Sequence, residues 1–146
     1  MMAARGLVPL KGADLVALLL QLAADPDAAI AASAKESLGK VPAEVVDAAC
    51  EEPLPAVFLD ALVPHVETSI ERLERIVANP ATADSTIARI ARTCHERVGE
   101  RIALNEQRVL RAPEIIEALY KNRHTRMSTV DRLVELSERR RRLVTE

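Results

Sequence analysis

The side chains with the most chemical potential in this 146-residue chain are two cysteines and three histidines. Cys94 and His95 are adjacent, while Cys50, His65 and His124 lie elsewhere. A thiol beside an imidazole is the raw material of a nucleophilic dyad or of half a metal site. The spacing argues against both. Adjacent residues on a helix diverge by about 100°, so both rarely reach one ion. No C-x-x-C or H-x-x-x-H pattern adds further ligands, and nothing marks an orienting acid or an oxyanion hole. No Gly-rich phosphate loop is present. The carboxylates fall at helical spacing beside Arg, as in Glu71/Arg75 and Asp131/Glu135/Arg139. That is the pattern of solvated helix faces with weak ion pairs. The expectation is a chain that is not an enzyme and that uses no metal or cofactor. Two sparse cysteines make no disulfide framework. They read as small buried apolar residues in a reducing cytoplasm.

The elements that carry these residues follow from composition. Hydrophobic residues make up 49% of the chain, yet there is one Phe, one Tyr, no Trp and only 4 Gly. Such a core must be filled by Ala, Leu, Val and Ile, which suits closely packed helices. Sheet proteins carry more aromatic residues, Thr and turn glycines. The fold class expected is all-α. The apolar run Leu15–Ala24 is too short to span a bilayer, and the Asp25-Pro26-Asp27 that follows does not fit a signal peptide.

Pro, Gly, Asn and Ser punctuate the chain at short intervals. The pattern predicts nine helices of about 8–15 residues. Asp14 opens the first, and Asp25 caps the second with Pro26 at its first position. Gly39 ends the second. Pro42, and then Pro53 and Pro55, open the next two, and Pro64 helps to end the fourth. Thr68 or Ser69, Ser85 and Ser128 read as N-caps of later helices, and Pro113 opens another. One domain is expected over 1–146, with 1–12 and 140–146 frayed.

One phrase occurs twice. NPATADSTIARI from Asn79 and NRHTRMSTVDRL from Asn122 share Asn, Thr, Ser, Thr, a β-branched residue, Arg and a closing aliphatic, at an offset of 43 residues. A looser copy joins Asn105 to Pro113 across a junction about two residues longer. Each copy falls where one helix ends and the next begins, so Asn79, Asn105, Asn122, Ser85 and Ser128 read as structural junction residues. A helix end leaves carbonyls unpaired and the next start leaves N–H groups unpaired, and an Asn amide serves either. Because Asn79 precedes Pro80, it is pushed towards extended backbone. Its side chain, rather than a left-handed φ, is expected to matter.

The 43-residue period resembles the two-to-three-helix unit of HEAT and armadillo repeats. The phrases AADPDAAIAASAKESLG and VANPATADSTIARIART resemble the leucine-rich-repeat variant, with its A-x-N/D-P junction. The phrase EIIEALYKNRHTRMSTVDRLVEL is similar to uncharacterised helical-repeat proteins of myxobacteria. The resemblance covers roughly residues 14–136 and implies a stack of short helices, an irregular α-solenoid. The units from Pro42 to His65 fit that consensus poorly.

Charge is unevenly spread. Residues 1–70 hold 4 Lys/Arg against 10 Asp/Glu, a net of −6, and residues 71–146 hold 16 against 12, a net of +4. Such asymmetry can steer a partner or a second copy to one end. The candidate contact residues are Tyr120, Lys121, Arg123, His124 and Arg126, together with Arg139, Arg140, Arg141 and Arg142. The reading expected is a cytoplasmic, non-catalytic protein-interaction or scaffold module, with self-association as a further expectation and no membrane span. The alternative is a nucleic-acid-binding repeat protein using the basic C-terminal half. Against that stand the slightly acidic whole chain and the near absence of aromatic residues for base stacking.

Overall fold

The computed structural model describes residues 12–145. Calls on 1–11, and on Glu146, lie outside the described residues. Among the described residues there are ten α-helices and no strand. They are α1 (Ala13–Ala23), α2 (Ala28–Lys40), α3 (Ala43–Glu51), α4 (Ala56–Val66), α5 (Ile70–Ala78), α6 (Asp84–Ala91), α7 (Glu96–Leu104), α8 (Glu106–Arg111), α9 (Pro113–Lys121) and α10 (Met127–Thr145). The tenth helix, where nine were expected, is α8. Residues read as a long junction after Asn105 instead wind into six residues of helix. Residues 140–145 lie within α10.

The described residues divide into two compact units, one up to Ala81 and one from Thr82 onwards. In the first, α1 packs on α2, α3 and α4, and α5 packs on α3 and α4. Its core is aliphatic: Val16 and Leu19 from α1, Leu59 and Leu62 from α4 and Ile76 from α5 are almost wholly buried. In the second, α9 packs on α6, and α10 packs on α7, α8 and α9. Ile87, Val98, Val109, Ile115, Leu119 and Leu133 fill that core. No aromatic side chain is among the buried core residues described. Close packing therefore rests on branched aliphatics and on the small Ala49, Ala91 and Ala103.

Several helix starts differ from expectation for local reasons. Asp27, rather than Asp25, caps α2: its carboxylate accepts from the Ala29 and Ile30 N–H groups, and Asp25 accepts from the Asp27 N–H. The two acids form consecutive turns, so the helix starts after the second. Gly12 stands before α1 with φ 63°, a left-handed geometry that suits Gly, and Asp14 sits within the first turn. Gly39 lies inside α2, which runs on to Lys40. Ser69 accepts from the Arg72 N–H as the cap of α5. Ala83 holds the cap position of α6, so Ser85 lies exposed within the first turn. Ser128 likewise lies exposed inside the first turn of α10.

Candidate functional site

The duplicated phrase is written into the helix register. Helices α5 and α9 begin and end 43 residues apart, and α6 and α10 begin 43 residues apart. The shared letters are mostly the buried ones. Asn79 and Asn122, Thr86 and Thr129, Ile87 and Val130, and Ile90 and Leu133 are buried in both copies. Each Asn follows its helix with extended backbone, at φ −74° and −85°.

The two amides do the same work. Asn79 donates from Nδ2 to the carbonyls of Cys50 (2.9 Å) and Glu52 (2.7 Å), at the end of α3. Its Oδ1 accepts from the Ala81 N–H at 3.0 Å. Asn122 donates from Nδ2 to the carbonyls of Ala91 (2.8 Å) and Cys94 (3.0 Å), at the end of α6. Its Oδ1 accepts from the His124 N–H at 2.8 Å. Each Asn thus closes the C-terminal end of the helix its own helix packs on, satisfying carbonyls that helix geometry leaves unpaired. Asn105 differs. It is exposed, and its Oδ1 accepts from the Arg108 N–H as the N-cap of α8.

The cysteines are parts of these locks. Cys50 and Cys94 are buried, unpaired thiols, and burial pushes each up to about 11. Such thiols stay protonated at neutral pH and are poor nucleophiles. His95 Nδ1 accepts from the Arg97 N–H and caps α7. No group of three or more His, Cys, Asp or Glu side chains among the described residues is arranged to hold a metal ion.

The candidate contact residues are all exposed, and several of the basic ones form ion pairs. Lys121 pairs with Glu117 at 2.9 Å and holds that carboxyl below its usual range, Arg126 pairs with Glu96, and Arg139 pairs with Glu135 at 3.0 Å. Arg123, His124, Arg140, Arg141 and Arg142 are exposed. Tyr120 is 63% exposed. It lies at a groove of about 330 Å³ between α9 and α10. Pro113, Ile116, Glu117 and Tyr120 line it from α9. Val130, Val134, Ser137, Glu138 and Arg141 line it from α10.

Sequence reasoning found Tyr120 and Arg141 but missed the apolar floor. The signal was available: 113, 116, 117 and 120, and 130, 134, 137, 138 and 141, each follow the spacing of a single helix face. The two faces meet only because α9 and α10 pack together, which no local pattern states. No helix among the described residues is long and apolar enough to cross a membrane. No family model, curated protein or solved structure matches the chain.

Proposed function

We propose that this chain is a non-catalytic protein-interaction module of the cytoplasm, built from helical repeats stacked as an irregular solenoid. The recurrence of one Asn lock at a 43-residue offset, with helix bounds in the same register, supports the repeat reading. The observation that carries the binding reading is the α9–α10 groove. It has an apolar floor, an exposed tyrosine at its edge and Val134 41% exposed beside it. An apolar groove between two helices is the usual seat of an amphipathic helical segment from a partner. Tyr is also a preferred anchor at such interfaces. The nucleic-acid alternative is weakened by the net charge of −2 and by the near absence of aromatic side chains that could stack on bases.

The test is quantitative capture from the native cell with the full chain and with a Tyr120→Asp/Val134→Asp variant. A protein retained by the first and reduced roughly tenfold or more by the second supports the reading. Equal capture by both, or a DNA mobility shift at physiological salt with no protein retained, overturns it.

A further inference from the structure

The C-terminal half of α10 is a helix with an uncovered apolar end. Leu143 and Val144 are 71% and 78% exposed, four helical turns beyond the buried Val130. Four arginines, Arg139 to Arg142, come directly before them, and two acids, Glu135 and Glu138, come before those. The groove between α9 and α10 has an apolar floor, at Ile116, Val130 and Val134, with Glu117, Glu138 and Arg141 among its polar lining residues.

Resting on the protein-interaction reading, we propose that the occupant of this groove is α10 of a second copy of this chain. The two copies dock each other antiparallel about a two-fold axis. Leu143 and Val144 of one copy lie on the apolar floor of the other, and the arginines before them face Glu135 and Glu138.

Length fits. Residues 139–145 span about 10 Å of helix, and the groove follows α10 from Val130 to Arg141, about 17 Å. The small Ser137 on the groove wall, near the crossing point, allows two helices to approach closely. Charge also fits. An acidic segment followed by a basic one is self-complementary only when two copies run antiparallel. A two-fold interface then uses each contact twice. The pair Glu135–Arg139 within one helix is about two-thirds exposed on both sides. Exchanging it for a pair between copies costs little, because exposed pairs are weak.

Sedimentation equilibrium on the pure full-length chain is the test, with circular dichroism confirming helix content in every variant. The wild type is expected to show twice its 16.0 kDa mass as concentration rises. Leu143→Asp/Val144→Asp and Tyr120→Asp/Val134→Asp are each expected to weaken self-association roughly tenfold or more. Two charge variants decide the geometry. A Glu135→Arg/Glu138→Arg chain and an Arg139→Glu/Arg142→Glu chain should each be monomeric alone and should pair when mixed. A wild type that stays monomeric overturns the self-docking and leaves the groove open to a different protein. A dimer untouched by Tyr120→Asp/Val134→Asp overturns self-docking in the groove and removes support for the groove as a binding surface. Charge variants that fail to pair on mixing overturn the antiparallel arrangement.

Discussion

Asn79, Asn105 and Asn122 occupy matching places in the sequence, yet their removal should have very different costs. In Asn122→Ala, the carbonyls of Ala91 and Cys94 lose their Nδ2 donor inside a buried site. The His124 N–H also loses its acceptor, but His124 is exposed and water replaces the bond. Two buried carbonyls at about 1–3 kcal/mol each give a loss of roughly 2–6 kcal/mol. Asn79→Ala should cost less, because only the Cys50 carbonyl is buried, whereas the Glu52 carbonyl is partly exposed and keeps the Leu54 N–H as a donor. Asn105→Ala removes one part-buried capping bond and should cost about 1 kcal/mol. Urea unfolding followed by far-ultraviolet circular dichroism measures all three. Asn122→Asp sharpens the test. It keeps shape and the His124 contact but aims a carboxylate at two carbonyls. It should be less stable than Asn122→Ala at neutral pH and should recover as acid protonates it. The reasoning fails if Asn105→Ala costs as much as Asn122→Ala, or if Asn122→Asp is tolerated at neutral pH.

The buried Arg108 donates to the Thr82 carbonyl at 3.3 Å, and its Nε lies 3.4 Å from Asp84, whereas Arg111 meets the same carboxylate from an exposed position. Arg108→Ala should therefore cost on the order of 3 kcal/mol, several times more than Arg111→Ala, as read by denaturant midpoints. Arg111 donating to Asp84 and Arg72 donating to Asp47 hold those carboxyls below their ordinary value of 3.8. Their contribution is present above that value and is lost as pH falls through the lower folded value, so an acid titration of stability should decline below about pH 4. The thiols act at the other end. Because Cys50 and Cys94 are raised from 9.0 to about 11, their contribution is complete below pH 9 and disappears as pH rises towards 11, by about 2–3 kcal/mol per thiol. Cys50→Ala/Cys94→Ala should flatten that alkaline decline. Gly39 sits in a helix with open space where a Cβ would go, so Gly39→Ala should raise stability by about 0.5–1 kcal/mol, while Gly12→Ala, at φ 63°, should lower it. Thermal melts of the two variants check this.

The all-α class was legible because it depends on composition and periodicity, which are local. Helix starts that depend on Pro or on a single cap were legible too: Pro113 stands at the first position of α9 and Ser69 caps α5. Starts with two competing caps, such as Asp25 and Asp27, were not, because only the three-dimensional turn chooses between them. The α8 helix escaped notice because six residues carry too little periodicity. The role of the Asn residues was half legible. Their junction position is written in the sequence, but their acceptors lie 27 to 31 residues upstream. Only packing of α5 on α3 and of α9 on α6 brings those carbonyls within reach.

The same packing explains why the two copies of the phrase should differ in function. In the first, the sixth position is Asp84, which is engaged by Arg108 and Arg111 within the second unit. Its chemistry is spent on holding that unit together. In the second, the sixth position is Met127, 61% exposed, and Arg123 and His124 are exposed beside it. The buried letters of the phrase are held in common because each copy needs the same lock. The exposed letters answer to different demands. A junction whose acid is tied to two arginines inside its own unit has little left to offer a partner. A junction that turns Met127, Arg123 and Tyr120 outwards, next to an apolar groove, presents the materials of an interface. Met127→Asp should therefore weaken partner capture while leaving stability within about 0.5 kcal/mol of the wild type. Asp84→Ala should do the reverse. If Asp84→Ala abolished capture without destabilising the chain, this division of labour between the two copies would be wrong.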